Sequence, residues 1–279
     1  CIVQAKQPVY NGSSWIKQIT RDPAWAFANV LFSDAAKTVL ASSRVDETGL
    51  YNWAGRNATA GRYFDYVLEE GMVRGDLLDM IASTGRASKF WKDGKYSVIE
   101  DQTQSTYVQV FGPRNIVKDS FQAVYNYKEI PHAFRVRFKN RDEEFQEEVR
   151  IVYRDGYNAD GSSGNTAATK FEDLELPGVT TSDHAFRLAR YHFAVGLNRP
   201  EIFKWKSQLD HLVCTRGDLV GIQHDASLIG LGSARISSVT NNGTYIDTVT
   251  IDRGISTATA TNYTMRVRKS DGSTVERVV

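Results

Sequence analysis

The sequence predicts an α+β fold, with helices packed on a small sheet and then an antiparallel, β-rich part, barrel- or sandwich-like, with one inserted helix. Three observations predict this class. Apolar residues recur at helical spacing in the first third, and an Asp93-Gly94 pair between two apolar runs marks a hairpin. From about residue 131 apolar and polar residues alternate, which is the period of a strand. We therefore expect an α+β domain over residues 21–130 and a β-rich domain over residues 131–279.

Capping residues and apolar faces mark the N-terminal helices. In RDPAWAFANVLF, Asp22 is a natural N-cap, and Pro23 stands in the first turn, where its missing N–H costs nothing. The segments YFDYVLEE and RGDLLDMIAST are further predicted helices, and STG ends the second of them. Residues 1–20 follow no clear period, and we expect them to be the end of a preceding segment.

Alternation in HAFRVRFKN, continued from Phe145 to Tyr153 after a polar turn, predicts a half-buried antiparallel pair of strands. Strands also fill the C-terminal part, with turns at NNG and SDG. The strands from about residue 232 allow a second interpretation, as a separate, incomplete subdomain.

One helix, over residues 183–198, interrupts these strands in SDHAFRLARYHFAVGLN. Ser182 or Asp183 is expected to cap it, and Pro200 prevents its continuation. Its apolar residues form one broad face opposite two arginines. His192 lies on the apolar face, and we interpret it as a core residue.

Composition excludes several classes of protein. The 279 residues carry a net charge of +1 with acidic and basic residues interleaved, so we expect no specific nucleic-acid binding. No apolar run approaches the roughly 18 residues of a membrane span. Two cysteines form no disulfide framework and fit a reducing compartment, or a particle assembled in one. Because the chain starts at Cys1 and stops in STVERVV, we expect it to be a piece of a longer protein.

The stretch HLVCTRGDLVGIQHD, residues 211–225, concentrates potential metal ligands. The alternation in EIFKWKSQLDHLVC predicts a strand that turns at TRGD and returns as LVGIQH. His211 and Cys214 would then point to opposite sides, so they could not share a zinc ion. Gly217 and Asp218 suit a tight turn, which is sufficient explanation for the Arg-Gly-Asp triplet. We predict a β-hairpin.

A Gly-rich loop, DGYNADG, partly matches a calcium-binding loop. Asn158, Asp160 and Gly161 fit the pattern, but its first position is Gly156 and its twelfth is Ala167, neither of which supplies a ligand. A solvated loop is therefore the interpretation we favour. Nucleotide-binding loops and a G-x-S-x-G motif are also missing from the sequence. We assign no catalytic, cofactor-binding or metal residue, predict no cofactor, and expect the chain not to be an enzyme.

Two other functions stay open at this level. A cell-wall hydrolase would need a carboxylate pair, for which Glu172 and Glu175 are candidates. A carbohydrate-binding adhesin would stack sugars on aromatic rings, and Tyr51 and Trp53 in the loop-like GLYNWAGRN are the best such pair.

An ordered series of segments resembles the central region of the family of phage tail-tip attachment proteins J, a group similar to the baseplate hub proteins of other tailed phages. The resemblance runs from about residue 21 to residue 235. The segments are RDPAWAFANVLF, LLDMIASTGRASKFWKDGKYSVIED, FGPRNIVKDSF, VRIVYRDGYN and HAFRLARYHFAVGLNRPEIFKWKSQLDHLVCTRGDLVGIQHD.

The resemblance implies an architectural role. Hub proteins of this family form trimers at the distal end of the tail tube, with two related, tube-like β-domains in each chain. It implies a structural virion protein that caps the tail tube and helps host attachment and DNA delivery. The implied partners are copies of itself in a homotrimer and other tail-tube and tail-tip proteins. The implied location is the virion tail, after synthesis in the bacterial cytoplasm.

Overall fold

Four helices and seventeen short strands make up the described part of the computed structural model. The helices are α1 (Pro23–Phe32), α2 (Glu47–Ala60), α3 (Arg74–Thr84) and α4 (Ser182–Asn198), and short 3-10 helices lie at Ser42–Arg44, Arg141–Glu143 and Leu209–Val213. The structure describes residues 3–34, 38–125, 129–224, 234–243, 245–252, 254–255, 262–269 and 274–278.

The strands are short and pair two or three at a time. They are β1 (Lys6–Tyr10), β2 (Trp15–Ile19), β3 (Ala87–Lys92), β4 (Lys95–Glu100), β5 (Gln109–Phe111), β6 (Gln122–Tyr125), β7 (Ala133–Asn140), β8 (Gln146–Tyr153), β9 (Tyr157–Asn158), β10 (Thr166–Ala167), β11 (Phe171–Glu175), β12 (Glu201–Lys204), β13 (Val220–Ile222), β14 (Ile236–Asn241), β15 (Ile246–Ile251), β16 (Thr264–Arg268) and β17 (Thr274–Val278). The sheets are the pairs β1–β2, β3–β4, β5–β13, β6–β12, β9–β10, β14–β15 and β16–β17, and the three strands β11-β7-β8.

This mixture of helices and mainly antiparallel strands confirms the predicted α+β class. The described strands lie in small sheets and form no closed barrel. Three of the pairings are also parallel, β5–β13, β9–β10 and β7–β11. Alternation along one strand reports one buried face, but it does not say how many neighbours that strand has.

The chain forms two compact units, each built from separate stretches of sequence. Unit 1 contains Cys1–Asp101 and Asn126–Pro200, and unit 2 contains Gln102–Tyr125 and Glu201–Val279. The change from an α+β to a β-rich part near residue 130 stays a prediction. The proposed subdomain from about residue 232 falls largely on stretches outside the described residues, and so does the SDG turn. None of the described helices is long and apolar enough to cross a membrane.

α1 begins where the sequence predicts. The Asp22 carboxylate accepts a hydrogen bond from the backbone N–H of Ala24, at 2.8 Å, so it satisfies a donor that the helix itself leaves free. α1 is apolar on nearly every side and is correspondingly buried. It lies in a helical core whose fully buried members include Phe27, Leu31, Leu50, Val45, Trp53 and Ala82.

The region between α1 and α3 differs from the prediction. Residues 63–70, YFDYVLEE, form no helix, because backbone donors here bond elsewhere in the fold, Phe64 to the carbonyl of Arg21 and Asp65 to that of Gly178. A helix forms earlier in the chain instead. It is α2, which contains GLYNWAGRN, the stretch predicted to be loop-like. Its signal was present in the sequence, since Leu50, Trp53, Ala54 and Asn57 recur at the spacing of one helix face and all are buried.

The β3–β4 hairpin confirms the Asp93-Gly94 prediction. Lys92 pairs with Lys95 across a two-residue turn in which Asp93 and Gly94 both have positive φ, 49° and 76°. A type I′ turn requires positive φ at both central residues, and its twist matches that of the strands on either side.

The predicted antiparallel pair is β7–β8, in register from Ala133 opposite Tyr153 to Asn140 opposite Gln146. β11 adds to the other side of β7 in parallel. α4 packs on one face of this sheet and forms a sheet core, whose most buried members are Val136, Val152, Val179, Ala185, Leu188, Ala189 and Phe193.

α4 departs from its predicted start by one residue. Its N-cap is Thr181, whose side chain makes no capping hydrogen bond, and not Ser182 or Asp183. The Ser182 hydroxyl instead accepts a hydrogen bond from Arg150 of β8, at 2.8 Å. This bond ties the start of the helix to the sheet beneath it.

Candidate interaction surface

The stretch 211–225 is not the predicted hairpin. Strand β12 ends at Lys204, and Leu209–Val213 is a 3-10 helix that contains His211. β13 then pairs in parallel with β5, not with the preceding strand. The predicted strand is cut short because Lys206 and Ser207 hydrogen-bond to residues 115–120, which redirects the chain. Asp225 lies outside the described residues.

The Arg-Gly-Asp triplet does lie in a tight turn, as predicted. The Asp218 carboxylate accepts hydrogen bonds from the Thr215 backbone N–H, at 2.7 Å, and from its hydroxyl. Gly217 has φ +96°, which suits a residue without Cβ. The side chain of Asp218 therefore closes the turn together with a backbone hydrogen bond from the Asp218 N–H to the Thr215 carbonyl, at 3.2 Å.

The Gly-rich loop after β8 is also organised by its own side chains. Asn158 accepts a hydrogen bond from the backbone N–H of Gly161 and donates to Ser162, while Asp160 accepts from the Ser162 N–H. Among the residues that the structure describes, no three His, Cys, Asp or Glu side chains are grouped so that they could hold a metal ion.

The residues nominated for the two open functions do not form the sites those functions need. Glu172 and Glu175 are both on β11 but three positions apart, so their side chains leave opposite faces of the strand. Trp53 is fully buried in α2, and its indole N–H donates to the carbonyl of Gly85 at 3.1 Å. Tyr51 is half exposed beside Gly12, so Tyr51 and Trp53 do not form an exposed pair of rings.

The buried histidine of α4 is His184 and not His192. His184 is 1% exposed, and its Nε2 lies 2.9 Å from the carbonyl oxygen of Thr84, at the C-terminal end of α3, so Nε2 carries the proton. Burial lowers the pKa of His184 to about 4, with Arg187 and Arg62 also disfavouring a second proton. His192 is exposed.

Further polar groups of α4 bond to the ends of α2 and β4. Arg187 donates to the carbonyls of Ala60 and Gly61, the last carbonyls of α2, where a cation is favourable. The Tyr191 hydroxyl donates to Asp101 at 2.6 Å, and Arg199 donates to the same carboxylate at 2.7 Å. The hydrogen bond from Arg199 holds the pKa of Asp101 below its ordinary value, against a smaller opposing effect of burial.

A second junction joins residues 65 and 180. Burial would raise the pKa of Asp65, but hydrogen bonds from Arg21 and Thr180 outweigh it and lower that pKa. Arg21 Nε lies 2.8 Å from Asp65 Oδ1, and the guanidinium also stacks on the ring of Tyr63. Through these bonds α4 and the sheet are fixed against α2 and α3 within unit 1.

The face of the sheet opposite α4 is open and basic along its centre. Arg135, Arg137 and Lys139 of β7 are exposed there, and paired residues on neighbouring strands share their face. Arg137 lies opposite Val149, and Arg135 lies opposite Ile151. Acidic residues flank these cations on both sides, Asp173 and Glu175 on β11 and Glu147 on β8, and Asp173 lies 3.8 Å from the Arg135 guanidinium.

β8 is an edge of this sheet, and its free side can accept a strand. The backbone N–H of Arg154 donates to the carbonyl of His132 at 2.9 Å, so alternate residues back along β8, such as Arg150, bond to β7. The backbone groups of Glu147, Val149 and Ile151 therefore point away from the sheet. No described strand lies beyond them. Val149 and Ile151 are 51% and 45% exposed, although they are apolar.

A second exposed apolar feature is the 66–73 segment, YVLEEGMV, between α2 and α3. All eight residues are exposed and form neither helix nor strand. Val67 and Val73 are 75% and 68% exposed. Five of the eight are large apolar or aromatic residues, and such residues rarely cluster on the surface of a monomeric protein unless they bind something.

Comparison with known proteins gives little further information. Neither a scan against protein-family models nor a search of curated proteins finds a match. Among solved structures, this chain is similar to the tail protein from Neisseria meningitidis MC58, with a TM-score of 0.44 and 11% identity. The match covers 60% of this chain and 50% of the other, so the chain spans half the length of that protein. This similarity is too low for any conclusion about fold or function.

Proposed function

We propose that the chain is a structural subunit of a phage tail, a hub or tip component that caps the tail tube and helps host attachment and DNA delivery. Its mechanism is assembly and not catalysis. Its partners are copies of itself, in a homotrimer, and other tail-tube and tail-tip proteins. Its location is the tail of the virion.

The open edge of the β11-β7-β8 sheet is the observation that carries the proposal. A long edge with exposed apolar side chains invites pairing with another chain, and proteins that stay monomeric usually protect such edges with charged residues, proline or a bulge. The central stretch of β8, residues 147–151, has no proline and no bulge, and its charged residues leave Val149 and Ile151 exposed beside the free edge. A subunit whose role is to join others is expected to keep such an edge open.

Support also comes from the segments that resemble the hub family. They contribute α1, most of α3, the β3–β4 hairpin, most of β8 and nearly all of α4, which supply part of both cores of unit 1, although α2 and β7 lie outside them. The resemblance thus concerns the elements on which assembly would depend.

Immunogold electron microscopy of particles released by cells that carry the parent gene tests the proposal. Antibodies raised against this chain should label the distal end of the tail. Label elsewhere along the tail would contradict the hub or tip assignment and leave a tail subunit. Particles without label, alongside a control antibody against the major tail-tube protein that does bind, would contradict both.

A further inference from the structure

We propose that the 66–73 segment of one copy binds the open edge and outer face of the β11-β7-β8 sheet in a second copy. This inference rests on the proposed function, in that a tail subunit must associate with copies of itself. It specifies which surfaces do so. Both surfaces lie in unit 1 and are exposed in the single chain.

Length and hydrogen bonding suit the two surfaces to each other. An extended segment of eight residues spans up to about 26–29 Å, which is the reach of the eight-residue β8. The outward backbone groups of Glu147, Val149 and Ile151 offer a ladder to a segment that is in neither a helix nor a sheet. Peptides recognised in this way gain affinity from main-chain bonds, and side chains set specificity.

The apolar side chains are matched as well. Leu68 and Met72 share one face of an extended segment, and both are exposed, as are Val149 and Ile151 of the edge. Bringing the two sets together removes apolar surface from water on both sides, which favours association.

Charge also bears on this pairing. Along an extended segment Glu70 shares the face of Leu68 and Met72, and it is exposed. A segment at the edge is separated by β8 from the β7 row of Arg135, Arg137 and Lys139, and each of these cations has one carboxylate opposite it, Asp173, Glu175 or Glu147. Two copies of the segment would oppose like charges, whereas a segment at this edge brings Glu70 toward the β7 cations, which favours association.

A contact between two different surfaces is head-to-tail, and such contacts close into rings when the rotation between copies permits. A trimeric ring is therefore compatible with this contact, whereas pairing of β8 with β8 would yield dimers.

Charge reversal of the full chain, followed by sedimentation across a wide concentration range, tests the inference. Glu69→Lys/Glu70→Lys and Arg137→Glu/Lys139→Glu should each weaken self-association at least tenfold. A chain carrying all four substitutions should regain most of it. The control Glu143→Lys/Glu201→Lys makes the same charge change as the segment variant, at exposed positions outside both surfaces, and should associate as the natural chain does.

A mixture separates head-to-tail contact from other arrangements. The two reversed variants, mixed in equal amounts, should form mixed dimers, because each carries a surface that matches the other. A closed ring of three should not form from this mixture, since unlike partners cannot alternate around an odd number of copies. Unaltered association of either variant, or no recovery in the four-fold variant, would overturn the inference. So would a natural chain that stays monomeric at every concentration, while the immunogold result would still decide the proposed function.

Discussion

Two titratable side chains in unit 1, Asp22 and His184, make the stability of the fold depend on pH in opposite directions. Burial raises the pKa of Asp22 to about 7, because the hydrogen bonds from Ala24 and Asn57 compensate only part of the lost hydration. The stability that protonated Asp22 provides is full below its unfolded pKa of 3.8 and is lost as pH rises through about 7. Burial of His184 acts the other way, so its contribution is full above 6.5 and is lost as pH falls through about 4.

Between roughly pH 4.5 and 6 Asp22 makes the free energy of unfolding fall with pH and His184 makes it rise, so the two slopes should cancel in the natural chain. Asp22→Asn keeps a good N-cap and leaves His184, so the free energy of unfolding should rise with pH in this window, by up to about 1.4 kcal/mol per pH unit. His184→Gln leaves Asp22, and the free energy should fall with pH instead. Urea denaturation at several pH values measures both slopes, and the double variant supplies the baseline. Parallel curves for the two single variants would show that neither group titrates as described.

Gly178 is a position where no side chain fits. Its φ is +82°, and a Cβ would lie closer to the Phe64 ring than two carbon atoms can approach. Gly178→Ala should cost about 2–4 kcal/mol, since backbone strain and a clash in the core add together. Gly164→Ala is the matched control, because Gly164 has φ +78° with open space around it, and it should cost about 1 kcal/mol. If chemical denaturation shows the same loss in the free energy of unfolding for both variants, the Phe64 ring moves aside without cost.

At the scale of elements, α4 is held by polar bonds at its margins as well as by its apolar face. Tyr191→Phe removes the hydroxyl that donates to Asp101 and keeps the ring beneath Arg86, so it should lower the free energy of unfolding by about 1–2 kcal/mol. Tyr66→Phe, at an exposed tyrosine of the 66–73 segment, should change it by less than about 0.5 kcal/mol. Thermal and chemical unfolding of both variants check this. If both lower the free energy of unfolding equally, the Tyr191 hydroxyl does not hold α4 in place.

Elements were predictable where local chemistry and the tertiary fold agree. Asp22 caps α1, Asp93-Gly94 sets a turn, and alternation marks β7–β8, because each signal acts within a few residues. The sequence pattern predicted the wrong element where contacts with residues distant in the sequence determine the local structure. Residues 63–70 lose their helix to backbone bonds with Arg21 and Gly178, and the strand ending at Lys204 is redirected by residues 115–120.

The interaction surface was less predictable than the fold. Half-burial of β7–β8 was visible in the alternation, but which strand becomes the edge depends on β11 joining β7 from the other side. His184 could have been found, since it lies one turn before Leu188 on the buried face of α4. The sequence did not indicate the 66–73 segment, because residues 63–70 have a pattern that predicts a helix. Its exposure becomes evident only in the fold.

At the scale of the whole molecule, the two units differ in how much core they contain. Both apolar cores belong to unit 1, while the described part of unit 2 buries only Phe111 and Ile116 among its apolar side chains. Two-stranded sheets alone are marginally stable, and the described sheets of unit 2 are all of this kind. Within the described residues, then, stability is concentrated in unit 1.

Hydrogen exchange should show this division directly. Amides of β7, α1 and α4, which lie against the two cores, should exchange only with global unfolding, whereas those of β6, β12 and β14 should exchange orders of magnitude faster through local opening. Exchange followed by mass spectrometry at low protein concentration, where copies are apart, measures both. Raising the concentration should then slow exchange at Glu147, Val149 and Ile151 if a second copy covers that edge. Uniform protection across both units would mean that unit 2 draws stability from packing beyond the described residues.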